Sequence, residues 1–274
     1  MVTHATIPST RQQTNDTGRY VRSTPGNQSL TRGLEVLRAF MLTPLLTNAE
    51  IAERTGLPRP TVSRLVHALV DSGFLLYDIG CKAYRLGPVH LSLAKTFHSD
   101  LQLIKLAEPL LRRYSEQAGI NAGLAVPDQQ DMMYLTTIRN EKSGMIRQAT
   151  WGSRMPMETS SAGAAYLASL PADEQRKIVD TLIPAHCTNA QARSARLYEG
   201  IAHVARHGFS IGEWQPDNIG LSVPLMGRSG TVYCSTVSFM VNEATRGELI
   251  AKHSTIALSL AEDIRLAWKN ASRY

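Results

Sequence analysis

Cysteine is scarce in this sequence. Cys81, Cys187 and Cys234 are the only three in 274 residues, with no C-x-x-C pair and no histidine at finger spacing. That excludes a disulfide framework and any signature of a structural zinc site. The three are read as reduced thiols, and no metal or other cofactor is expected, although a metal held by His and Cys from distant parts of the chain stays open. No apolar run approaches the roughly 18 residues needed to cross a bilayer, and the N-terminus has no apolar core of a signal peptide. The expectation is a soluble cytoplasmic protein that spans no membrane. Also missing are a G-x-S-x-G elbow, a phosphate-binding glycine loop and an H-E-x-x-H helix. Ser160, Ser161 and the histidines at 186, 203 and 207 therefore have no catalytic frame around them, and no catalytic residue is assigned.

What is present centres on residues 47–85, TNAEIAERTGLPRPTVSRLVHALVDSGFLLYDIGCKAYR. Thr47 followed by Glu50 is a capping box that starts a short helix with Ile51 and Ala52 inward. Gly56 closes it, Leu57 plugs the turn, and Pro60 sits in the first turn of a second helix, where its missing N–H is no loss. From there Val62, Leu65, Val66 and Leu69 recur at helical spacing. Arg59, Thr61, Ser63, Arg64 and His67 share the other face, which no acid interrupts before Asp71. Taken alone, such a face reads as solvated surface. Here Asp71-Ser72-Gly73 comes next as a stop, then Phe74–Tyr77 and Ala83–Leu86 as the strands of a β-ribbon. Together these signals predict a winged helix-turn-helix, whose second helix reads base edges in the major groove. Lys82, between the two strands, is a further candidate for DNA contact.

The charge balance agrees. Net charge is +6, and residues 1–90 hold ten Lys and Arg against six Asp and Glu. A local excess of that size suits contact with a limited number of phosphates. Residues 1–28 are polar, lack apolar periodicity and are expected to be a disordered tail. Its arginines, at 11, 19 and 22, can graze DNA or simply belong to a passive leader. Ser29 is expected to cap a helix with Leu30, Leu34, Leu37 and Met41 on one stripe and Phe40 beside them, ended by Pro44. Thr31 and Arg32 at its start are candidates for phosphate contact. The DNA-binding unit is thus expected over residues 29–88.

Residues 89–118 read as linker helices, the second running from about Asp100 to Gln117 with Leu103, Leu106, Leu110 and Tyr114. They serve either as a dimer contact or as packing for a second domain. From Ile120 the pattern turns to strands at Asn121–Val126, Met132–Arg139 and Ser143–Thr150, then a small-residue helix Ser160–Leu170 capped by Thr159 or Ser160. Helices come next at Ala172–Leu182 and Ala190–His207, then strands at Phe209–Glu213, Ile219–Met226 and Thr231–Met240, and a last helix at Glu243–Trp268. This is an α+β unit with one central sheet, expected over residues 119–270.

SLTRGLEVLRAF, LTNAEIAERTGLPRPTVSRLVHALVDSGFL and YRLGP resemble the IclR family of bacterial transcription regulators closely and in order. MPMETSSAGAAYLASL, ARHGFSIGEW, IGLSVPL and TVSF are weaker echoes. The resemblance implies a winged helix joined by a linker helix to a GAF-like α/β effector-binding domain. It also implies a homodimer, or a dimer of dimers, on a near-palindromic double-stranded operator. The effector it implies is a small organic molecule, often a carboxylate or aromatic acid, with repression favoured over activation. By the same resemblance Ser161 and Ala162 donate amides to the effector, and Glu213, Val223, Thr236 and Ser238 close the site from the sheet. Arg147, on a strand before that junction, either bonds the carboxylate or points to solvent. Many members have a Gly-Lys pair at Gly163-Ala164, and several have Cys at Val223, so no particular ligand is carried over. The alternative readings are a small-molecule-hydrolysing enzyme fused to a DNA-binding domain, and an architectural DNA binder without a ligand.

Overall fold

The Thr47 hydroxyl accepts the Glu50 amide while the Glu50 carboxylate accepts the Thr47 amide at 2.8 Å, so the capping box forms in full. Those same bonds to Thr47 hold the Glu50 carboxyl below the usual carboxylate range. The box opens helix α2 (Asn48–Thr55), and Gly56 ends it in the left-handed region at φ 67°. Helix α3 (Arg59–Asp71) comes next, with Pro60 in its first turn. Strands β1 (Leu75–Asp78) and β2 (Ala83–Leu86) pair antiparallel as the wing. Leu46 adds a bridge to Tyr84, a third edge that the sequence pattern does not announce. Val36, Phe40, Leu46, Ile51, Val62, Val66 and Leu75 fill the core of this unit.

The computed structural model describes residues 27–140, 149–227 and 230–271. The expected tail up to residue 26, Arg147, and all but the last two residues of the strand expected at Ser143–Thr150 lie outside them. The chain forms two compact units, residues 1–100 and 101–274.

Two expectations for helix α1 (Gln28–Arg38) are corrected. Its cap is Asn27, not Ser29, because the Asn27 carboxamide oxygen reaches the amides of Ser29 and Leu30 at 3.0 and 3.3 Å. Asn ranks with Ser as a cap, so either fits the pattern. Its inward residue is Val36, with part of Leu37 and with Phe40 of the turn that follows, whereas Leu30, Leu34 and Met41 are exposed. Two apolar sets share this helix, and periodicity alone does not say which faces the core. The helix stops at Arg38, and a single 3-10 turn, Ala39–Leu42, intervenes before Pro44.

Helix α4 (Val89–Asp100) belongs to the first unit and α5 (Gln102–Ala118) to the second. In α5 the buried line is Leu103, Ile104, Ala107 and Leu111, so this helix is a wall of the second core; Leu110 and Tyr114 pack only partly. Strands β3 (Asn121–Asp128), β4 (Asp131–Ile138), β5 (Arg154–Pro156), β6 (Ser210–Gln215), β7 (Asn218–Met226) and β8 (Val232–Met240) make one antiparallel sheet ordered β5-β4-β3-β8-β7-β6. Strand β5 is not among the expected strands, being only three residues long. Helices α5 and α9 (Arg246–Ala271) cover one face of the sheet through Leu103, Leu111, Leu221, Val237, Leu260 and Ile264. Helices α6 (Ser161–Ala168), α7 (Ala172–Leu182) and α8 (Ala190–His207) cover the other through Met132, Ala162, Ala165, Leu167, Val179, Leu197 and Cys234. The unit is therefore an α+β sandwich with helices on both faces, which buries both sides of the central strands β3, β8 and β7 over most of their length.

Candidate functional site

In the first unit the polar face of α3 is open. Arg59, Arg64 and His67 are exposed and Thr61 and Ser63 half-buried, while Val62 and Val66 on the opposite side have no exposure. Neither Arg59 nor Arg64 has an acidic partner among the described residues, so both guanidiniums are available to a phosphate or a base edge. Lys82 is exposed in the wing turn at φ 50°, a left-handed position that a lysine adopts only when the turn requires it. Arg85 at the base of the wing is tied to Asp78. Arg32 is exposed, but Thr31 lies one turn inside α1 and its hydroxyl donates to the Asn27 carbonyl at 3.3 Å.

In the second unit Ser160 is the cap of α6, its hydroxyl accepting the Gly163 amide at 3.1 Å. The Ala164 amide goes to the Ser160 carbonyl. The amides of Ser161 and Ala162 meet no acceptor among the described residues, as the first turn of a helix dictates, and both residues are buried. The sheet seats this helix end on two glycines that face each other, Gly212 of β6 and Gly220 of β7. A Cβ on Gly212 would stand 2.4 Å from the Ser161 nitrogen, and one on Gly220 2.8 Å from its hydroxyl. Serines complete the seat: Ser161 Oγ lies 2.8 Å from Ser222 Oγ, and Ser210 Oγ donates to the Ser161 carbonyl at 2.6 Å. Cys234, its thiol pushed up by burial, donates to the Ala162 carbonyl at 3.4 Å.

Strand parity sorts the expected pocket residues. Ile219, Leu221, Val223 and Leu225 belong to the core under α5 and α9, so Gly220 and Ser222 face α6. Val223 therefore points away from Ser161, and the residue beside it in space is Ser222. Glu213 also departs from expectation: it is exposed and paired with Arg246 of α9 at 2.6 Å, a hydrogen bond that holds its carboxyl below the ordinary range. Thr236 and Ser238 stand opposite Ser222 and Gly220 in β8, on the α6 side. Thr236 donates to the Gly123 carbonyl at 3.3 Å and bonds the phenol of the partly buried Tyr134, whose ionisation desolvation pushes up. Sequence reasoning missed Ser210, Ser222, Gly212 and Gly220. The alternation in Ile219-Gly220-Leu221-Ser222-Val223 carried the signal for two of them.

Ser160, Ser161 and His203 are each engaged in bonds of the fold. Ser160 caps a helix, Ser161 meets another serine, and the Nδ1 of His203 lies 2.8 Å from the Phe209 carbonyl. Among the described residues no three of His, Cys, Asp and Glu lie together as a metal site. No described helix is long and apolar enough to cross a membrane. A groove of about 630 Å³ on the outside of α5, lined by Lys105, Glu108, Arg112 and Glu116, lies across the sheet from α6 and involves none of the expected pocket residues.

An open basic helix behind a helix-turn, a wing beside it and a separate α+β unit in the same chain define the class: a DNA-binding transcription regulator. The first part, residues 29–78, matches the IclR helix-turn-helix domain, and residues 95–265 match the bacterial transcriptional regulator IclR C-terminal domain. The chain belongs to the IclR family. It is 28% identical over 247 residues to the Pca regulon regulatory protein of Pseudomonas putida, spanning 86% of this chain and 82% of that one. To the transcriptional repressor IclR of Escherichia coli K12 it is 27% identical, over 67% of this chain and 68% of that one. A solved IclR family transcriptional regulator from Brucella abortus superposes with a TM-score of 0.80 at 31% identity, covering 88% of this chain and 92% of the other. An IclR homolog from Microbacterium hydrocarbonoxydans, complexed with 4-hydroxybenzoate, shares the fold with a TM-score of 0.67 at 21% identity, over 89% and 100% of the two chains.

Proposed function

We propose that this regulator is a cytoplasmic homodimer that represses from a near-palindromic operator, and that a small carboxylate bound at the α6 N-terminus controls its hold on DNA. The observation that carries the effector half is the pair of buried amides, Ser161 and Ala162, without acceptors at the positive end of a helix dipole. An anion is the partner such a pair favours. Aromatic acids are the class tested first, since a protein of the same fold is complexed with 4-hydroxybenzoate. Glu213 and Val223 have no part in this site, and Ser222, Thr236 and Ser238 line it from the sheet. Repression is supported by the kinship to the Escherichia coli repressor.

On DNA, Thr61, Ser63 and Arg64 read bases, with Arg59, Arg32 and Lys82 on the backbone and His67 at the edge of the face. Arg64→Ala should weaken operator binding by about 1 to 3 kcal/mol and relax preference at one base position. A shift assay at fixed salt measures both, and unchanged affinity would remove Arg64 from the reading face.

The dimer comes from half-site arithmetic: one winged helix reads a half-site, so a palindrome needs a two-fold partner. The exposed Leu30 and Leu34 of α1, Met41 of the turn after it, and Leu91, Leu93 and Phe97 of α4 supply apolar surface for it. Light scattering at micromolar concentration should give twice the chain mass or a multiple of it; the monomer mass would end this reading.

A further inference from the structure

Asn218 is buried, with 1% of its surface exposed, and neither its Oδ1 nor its Nδ2 has a hydrogen-bond partner among the described residues. Both ends of a carboxamide left unpaired in a closed place destabilise a fold, and a position that only filled volume would favour leucine. Parity places this amide. Because Ile219 and Leu221 face α5 and α9, Asn218 and Gly220 face α6, and Gly220 lies directly under Ser161. Asn218 is thus the next position on that face beyond the helix end. The row continues across the sheet, since Gly220 stands opposite Ser238 and Ser238 opposite Asn121.

We infer that Asn218 determines effector specificity by bonding a hydroxyl or carboxamide on the acid, placed about 6 to 7 Å from the carboxylate, the distance two residues span along a strand. The inference rests on the acid site proposed above. A rigid ring with its second polar group para to the carboxylate meets that span, and the amide offers both an acceptor and donors to it. A benzoate without the group leaves the amide as unpaired as it is in the free protein, so discrimination comes from the hydrogen bond and not from size.

The test uses the full chain and three probes: benzoate, 4-hydroxybenzoate and 4-carbamoylbenzoate. Calorimetry on the wild type should show the two substituted acids binding at least tenfold more tightly than benzoate. Asn218→Leu should lose that preference and bind all three alike, and it should melt higher than the wild type without ligand, because an apolar side chain replaces an unpaired amide. Asn218→Ala should also lose the preference, which keeps the test intact if leucine does not fit. A wild type that binds all three equally overturns the role of Asn218 and leaves the acid site standing. A wild type that binds none of them overturns the acid site and this inference together. A leucine variant that folds but melts below the wild type shows that the amide serves the fold, and also overturns it.

Discussion

Gly163→Ala should destabilise the second unit by about 3 kcal/mol or more, at or beyond the upper end of what overpacking a core costs. A Cβ at this position would stand 1.8 Å from the Met157 carbonyl oxygen and 2.8 Å from its Cα. Those are backbone atoms, so no rotamer change relieves the clash. Either α6 lifts off the strand leading into it or the Met157 turn opens, and both moves break the seat of Ser161 on Gly212 and Gly220. Chemical denaturation followed by circular dichroism should show the loss in the second unit's transition. Stability within about 1 kcal/mol of the wild type would mean that α6 does not sit this close to residue 157.

The second large effect belongs to the other unit. A Cβ on Gly87 would stand 2.1 Å from the Gly73 carbonyl oxygen, and the Gly87 amide donates to the Phe74 carbonyl at 2.8 Å. The end of β2 is thereby held against the chain that leaves α3. Gly87→Ala should cost the first unit about 3 kcal/mol or more by the same overpacking argument and abolish operator binding. The second unit's transition should remain where it was. A variant that binds operator normally would show that the wing base tolerates a wider spacing.

The first unit was readable because its signals are local. The Thr47–Glu50 box, Gly56 and Pro60 each act on residues within one turn, and the structure keeps all of them. Helices α7 and α8 also appear with the expected bounds. What failed depended on which side of an element faces inward. Leu30 and Leu34 have the same spacing as a core stripe, yet Val36 and Phe40 occupy the core. Glu213 and Val223 came from resemblance, whereas the alternation of their own strand puts Val223 with the apolar residues and Ser222 with Ser161. A glycine followed by a proline, as at Gly87 and Pro88, ends a strand by local chemistry. That Gly87 is also pressed against Gly73 depends on tertiary approach, which no local pattern encodes.

The order of the sheet has a bearing on how the chain is made. Strand β3 lies between β4 and β8, and the Thr236 hydroxyl reaches the Gly123 carbonyl across 113 residues of sequence. During synthesis from the N-terminus the first unit has every one of its contacts available once residue 100 has left the ribosome. The second unit does not. Its β3–β4 hairpin emerges early but keeps an unpaired edge until β8 is translated, after α6, α7, α8 and the strands β5, β6 and β7. Non-local pairing of this kind is slow to form and leaves a strand edge open to other chains. A nascent chain therefore carries a finished DNA-reading unit ahead of an unfinished sheet, and translation that stalls before residue 232 leaves that edge uncovered.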